Sequence, residues 1–125
     1  MPVQKDVVWI GSSLSDLKTF PDDVQDVVGY AIYLAQIGGK HPDAKPLRGG
    51  GAFRGAGVLE VVADDDGDTY RAIYTVRFSD LVYILHCFQK KSTRGIQTQA
   101  RDIELVKQRL KVAVDHYASR KAGNP

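Results

Sequence analysis

The sequence predicts an α+β domain, a small and mostly antiparallel sheet packed against helices in the order β-α-α-β-β-β-α. Three observations predict it. Apolar side chains recur at helical spacing between Val24 and Ala35, they alternate at strand spacing between Thr69 and Arg77, and an Asp-Gly dipeptide separates two strand-like runs. Strands grouped between helices, rather than alternating with them one by one, belong to a layered α+β architecture. At 125 residues the chain is read as a single domain spanning 1–125, a length that buries roughly two thirds of its unfolded surface.

Gln4 to Ile10 carries Val7, Val8, Trp9 and Ile10 and suits a first strand. Ser13-Leu14-Ser15-Asp16 reads as a short capping box that opens a turn or two of helix up to Phe20. Pro21 begins a second helix, with Asp22 and Asp23 set against its N-terminal dipole. Val24, Val27, Val28, Ala31, Ile32 and Ala35 form its apolar stripe, and Gly38-Gly39 ends it. From Gly38 to Gly57 the chain is rich in Gly and Pro without periodicity, which reads as a long surface loop.

Val58 to Val62 is the second strand, and Asp64 to Asp68 turns it into a third, Thr69 to Arg77. There Tyr70, Ala72, Tyr74 and Val76 share one face, and Arg71, Ile73, Thr75 and Arg77 the other. After a turn at Phe78-Ser79-Asp80 the fourth strand runs from Leu81 to about Lys90, with His86 in register with Val82, Ile84 and Phe88. Thr98 N-caps a last helix with the stripe Ile103, Val106, Leu110, Ala113 and Tyr117, and a disordered tail is expected from about residue 119.

Apolar and charged fractions of 43% and 26% are ordinary for a soluble globular protein. No apolar run approaches the ~20 residues of a membrane span, and Met1 to Asp6 lacks the apolar core of a signal peptide. The expectation is a cytoplasmic protein that does not engage a membrane. Cys87 is the only cysteine, which excludes an intrachain disulfide and a thiolate metal cluster.

The net charge of +2 conceals an asymmetry. From His86 onward nine Lys/Arg face three Asp/Glu, whereas before it eight face twelve. Clustered cations of this kind suit a polyanionic partner, because they neutralise phosphates and release counterions; a solvated basic helix face is the alternative.

The candidate chemistry lies in the same region. Lys90 and Lys91 close a strand, with Arg94 and Arg101 beyond, and phosphoryl transfer requires cations where negative charge accumulates. Lysines ending a strand also protect sheet edges. Arg71 stands mid-strand, where a guanidinium must reach an anion: a phosphate held by its planar fork, or Glu60 across the sheet. Glu60 could accept a proton or hold Arg71 in place, and the second reading is favoured. His86 has a side chain suited to proton transfer, but a lone histidine on an apolar face is more often a hydrogen-bonded core residue. Neither His41 nor His116 gathers the partners a metal site needs, so no metal or other cofactor is expected. The Asp64/Asp66/Asp68 spacing fails as a calcium loop because Thr69 and Thr75 stand where Gly and Glu belong. The Gly49-to-Gly55 run lacks the lysine of a phosphate loop.

Taken together, Phe20-Pro21, Lys45-Pro46-Leu47, Val58-Leu59-Glu60, the strand Tyr70-Arg71-Ala72-Ile73-Tyr74 and the block Phe88-Gln89-Lys90-Lys91 followed by Thr98 resemble the HigB-like, phage-derived branch of the RelE/ParE toxin superfamily. The resemblance implies the toxin of a type II toxin–antitoxin pair. Such a toxin is a ribosome-dependent mRNA endoribonuclease that halts translation through metal-independent attack of a 2′-OH on the adjacent phosphate. It further implies Arg71, Lys90 and Lys91 as catalytic and phosphate-binding residues supported by Glu60, with Arg94, Arg101, Phe88 and Arg109 contacting RNA beside them. The partners implied are mRNA on the ribosome and a cognate helix-turn-helix antitoxin similar to HigA. Two departures stand out: Val61 and Val62 occupy positions where some members carry a cation, and Gln97-Thr98-Gln99 lacks the tyrosine of RelE relatives. The competing readings are a ParE-like toxin that inhibits a protein such as gyrase, and an idle phage protein that only binds RNA.

Overall fold

A computed structural model of the chain describes residues 4–48, 51, 53–90 and 99–122. It contains β1 (Asp6–Trp9), α1 (Ser13–Leu17), α2 (Asp22–Gln36), β2 (Lys45–Pro46), β3 (Val58–Asp65), β4 (Asp68–Thr75), β5 (Leu81–Lys90) and α3 (Ala100–Ala122). The strands form one sheet in the order β1-β5-β4-β3-β2. Only β1, against β5, is parallel. The α+β architecture expected from the sequence is thus present, with an extra edge strand.

Local chemistry explains the element ends. At the end of α2, Gly38 (φ 84°) takes the left-handed conformation, and Gly38 and Gly39 donate to the carbonyls of Ala35 and Leu34. These are the two bonds of a Schellman motif. The β3–β4 hairpin turns on Asp66 (φ 50°) and Gly67 (φ 83°), the pair of positive φ angles that a type I′ turn demands and that suits the twist of paired strands. At α1, Ser12 rather than Ser13 occupies the N-cap, and its hydroxyl donates to Asp16 at 2.7 Å. Ser13, expected to cap, is buried and donates to the Ile84 carbonyl at 3.2 Å, tying α1 to the sheet.

The sheet is covered on both faces. Leu17 and Phe20, with Val24, Val28, Ala31 and Ile32 of α2, pack on Val61, Tyr70, Ala72, Tyr74, Val82, Ile84 and Cys87. On the other face Val106 and Ala113 of α3 join Ile73, Tyr83, Leu85 and Phe53. The loop expected between residues 38 and 57 is therefore more than a surface connection. Lys45–Pro46 pairs with β3, and Leu47, Phe53 and Ala56 are buried in the second core. Three isolated apolar residues in a stretch rich in glycine give no periodic signal, and the two-residue strand is imposed by the edge of β3, which needs a partner. Gly57 (φ 62°) lies so near β4 that a Cβ there would meet the Arg77 amide nitrogen at 3.0 Å.

Within β5 the alternation breaks. Tyr74 pairs with Ile84 but Ile73 pairs with His86, so Leu85 is an inserted residue and the strand bulges there. Val82 and Ile84 face α2, whereas His86, Phe88 and Lys90 face α3. The expected register of His86 with Val82 and Ile84 is corrected accordingly, because a one-residue insertion exchanges the faces of everything after it. At the C-terminus α3 continues through Ala122, and Lys121 lies 3.8 Å from Asp80, so helix stands where a tail from about 119 was expected. Among the described residues no helix is long and apolar enough to cross a membrane.

Candidate functional site

Downstream of the bulge, three strands place charged side chains on the α3 face. Arg71 lies opposite Phe88 on one side and Val62 on the other, Lys90 lies opposite Thr69, and Glu60 opposite Ile73. Glu60, Arg71 and Lys90 are therefore diagonal neighbours stepping across β3, β4 and β5. Diagonal positions in a sheet sit about 7–8 Å apart, within reach of long side chains. Arg71 Nη1 donates to Glu60 Oε2 at 2.9 Å. Of the two alternatives open for Arg71, the structure shows the ion pair, and Glu60 holds the guanidinium in place.

Arg71 is 4% exposed and Lys90 8%, although the Lys90 amine is only thinly covered. Burial, and next the Arg71 charge, hold that amine below the ordinary lysine range, while Glu60 opposes them. Burial disfavours the charged ammonium and a neighbouring cation repels it, so both push toward the neutral amine. Lys90 and Arg71 thus sense one another's charge, and Glu60 joins them. Lys91 and Arg94, grouped with Lys90 on the sequence, lie outside the described residues.

His86 begins the same row. Its Nε2 and Asp102 Oδ1, from the first turn of α3, are 2.9 Å apart, and its ring stacks on Phe88 with centroids 4.4 Å apart. Its Nδ1 is buried and bonds to no described residue. Burial chiefly lowers the His86 pKa, aided by the Arg109 charge and opposed by Asp102. The carboxylate fixes the ring, and the neutral tautomer that donates to Asp102 leaves Nδ1 as the acceptor. Asp102 escaped sequence reasoning because its partner lies 16 residues back, beyond any local pattern.

The remaining residues expected to contact RNA divide. Arg101 projects from the start of α3 with its side chain 82% exposed, beside Asp102. Phe88 is half-buried under the His86 ring. Arg109 is committed to the scaffold: Nη1 donates to the bulge carbonyl of Leu85 at 2.9 Å and Nη2 to Ser12 Oγ at 3.1 Å. The guanidinium lies so close to Gly11 (φ 57°) that a Cβ there would meet Cζ at 2.9 Å. It locks bulge, α1 and α3 together, a role that no local pattern around Arg109 foretells.

Among the described residues no three His, Cys, Asp or Glu side chains gather as a metal site would require. What the trio can do is hold an anion against two cations on a rigid sheet and offer an amine with weakened affinity for its proton. Comparison with known families matches residues 15–111 to the one described as "Phage derived protein Gp49-like". Among curated proteins no relative matches the chain.

Proposed function

The chain belongs to the phage-derived Gp49-like family, which is associated with RelE-like toxins, and from that premise we propose that it is a toxin that cleaves mRNA on the ribosome. The observation that carries this reading is the diagonal array on one sheet face, Arg71 held by Glu60 and coupled in charge to Lys90. In-line attack of a ribose 2′-OH on its own phosphate forms a 2′,3′-cyclic phosphate as the bond to the 5′-oxygen of the next nucleotide breaks. It needs a cation on the non-bridging oxygens, a group to take the hydroxyl proton, and a proton, returned by that group or by water, for the departing oxygen. Arg71 supplies the planar fork for the phosphate. Lys90, its proton affinity lowered by burial and by Arg71, takes the proton. Glu60 acts as a positioning residue, because its carboxylate is spent on Arg71.

The Arg71 guanidinium is nearly buried against Glu60 in the free protein. Phosphate therefore competes with Glu60 for the guanidinium, and a codon presented in fixed geometry by the ribosome wins that competition where free RNA does not. Arg101, exposed at the start of α3, adds positive charge for the RNA that enters. The cognate antitoxin, a helix-turn-helix protein in this reading, neutralises the toxin by covering the Lys90 face.

The deciding experiment incubates purified protein with programmed ribosomes and maps mRNA ends by primer extension, beside free mRNA and a gyrase supercoiling reaction. The expected result is cleavage at the codon in the A site, none on free mRNA, unchanged supercoiling, and loss of cutting in Lys90→Met at unchanged ribosome binding. Intact message together with inhibited supercoiling would refute the nuclease reading in favour of a protein-directed toxin.

A further inference from the structure

At the opposite edge of the sheet, Pro46, Leu47, Arg48, Phe53, Arg54 and Gly57 line an open pocket of about 510 Å³ against Val58 and Leu59. That volume falls within the range of small-molecule sites. Leu47, Phe53 and Val58 give it apolar walls, Arg48 and Arg54 stand exposed at it, and no carboxylate lines it. We propose that this pocket is a subsite for single-stranded RNA, taking an unstacked base between its apolar walls and the arginines while they hold the flanking phosphates.

The inference rests on the ribonuclease reading, and a third observation joins it to the candidate site. Lys45 lies directly opposite Glu60 on β3, so it shares the sheet face that carries Arg71 and Lys90, and it is exposed. From β5 to β2 the face spans three strand spacings, about 14 Å. Cations therefore stand at Lys90, Arg71 and Lys45, with the Glu60 carboxylate between the last two and held by Arg71, and continue at Arg48 and Arg54, a path for a sugar–phosphate backbone beyond the cleaved bond. Guanidinium planes stack on bases as well as bind phosphate, and unpaired bases need a pocket in which to leave the stack. Apolar walls without accompanying acids favour a nucleobase over a basic peptide. Gly55 and Gly57, both at positive φ, keep the rim free of side chains.

The test is fluorescence anisotropy with a labelled 12-nucleotide 2′-O-methyl RNA, which lacks the attacking hydroxyl, at salt between 0.05 and 1 M. Loss of two phosphate contacts lowers the slope of log K against log salt by about 1.4, since each charge contributes roughly 0.7 on single strands. With equal affinities at 1 M, Arg48→Ala/Arg54→Ala then binds ~25-fold more weakly than the parent at 0.1 M. Lys5→Ala/Lys18→Ala, an equal change of charge away from the pocket, leaves the slope within a few tenths, and unfolding midpoints show that each variant is folded. An arginine variant with the parent's slope, or a control that loses as much, overturns the proposal. Cleavage on ribosomes is scored separately. A parent that binds through Arg48 and Arg54 but never cuts mRNA refutes the nuclease and leaves the subsite standing, whereas a parent that cuts, with an arginine variant that binds and cuts equally well, removes the subsite alone.

Discussion

Replacing Arg71 with methionine removes one half of a buried ion pair whose side chains are 5% and 15% exposed. The carboxylate of Glu60 stays behind with most of its water excluded, and breaking such a pair by deleting one partner costs about 3–5 kcal/mol. Lys90 is near enough to offer partial compensation, which puts the expectation at the low end, about 3 kcal/mol. For a chain of this length a loss of that size lowers the melting temperature by roughly 12 °C. Removing both partners with matched apolar residues, Glu60→Leu/Arg71→Met, takes away the carboxylate together with the guanidinium, and such replacements are often neutral or stabilising. The double variant should therefore recover to within about 1 kcal/mol of the parent while remaining unable to cleave mRNA. Urea unfolding followed by circular dichroism measures the first, and primer extension at matched folded fractions the second. A single variant that loses less than ~1 kcal/mol, or a double variant no more stable than the single, would refute the claim that Glu60 depends on Arg71.

Three other outcomes follow from buried groups. Because burial lowers the His86 pKa in the folded state relative to the ~6.5 of an unfolded chain, the unfolded state takes up the proton first. Its contribution to stability is whole above about pH 6.5 and is lost as pH falls toward the lower folded value; urea midpoints at pH 7.5 and 5.5 should show that loss, and His86→Gln should flatten it. Burial pushes the Tyr74 hydroxyl up to about 12, and it bonds to no described residue, so Tyr74→Phe should stabilise the fold by about 1 kcal/mol, and a destabilisation of that size in thermal melts would reveal a partner. Cys87 is 1% exposed with its thiol pushed up to about 12, so its modification by Ellman's reagent should proceed no faster than unfolding, a rate readable from hydrogen exchange of core amides.

Most of the fold was legible because its signals are local. The stripe of α2, the Gly38-Gly39 stop, the Asp66-Gly67 turn and the alternation of β4 each depend on residues a few positions apart, and periodicity reads those well. The face of Arg71 followed directly from that alternation, but the alternation left its partner open between a phosphate and Glu60, and only the side-chain geometry shows the ion pair. What escaped depends on distance along the chain or on a broken period. β2 is two residues long and exists because β3 needs a neighbour. The bulge at Leu85 leaves no mark in a run of apolar residues, yet it decides which way His86, Phe88 and Lys90 point. Arg109 was expected to contact RNA and Asp102 was assigned no role, since their partners, the Leu85 carbonyl and His86, belong to a strand many residues earlier.

Leu85 also separates what the two halves of one strand are for. The half before it obeys the spacing of the α2 core, and the half after it is offset by one, which is the parity the cations require. A strand that kept every residue but paired without the bulge would keep its apolar packing up to Ile84 and deliver Lys90 to the side of the sheet away from Arg71, so it would match the parent in composition and lack the paired charges altogether. Among kindred sequences, then, the pairing of this strand across the bulge is a better guide to shared chemistry than the presence of the lysine itself.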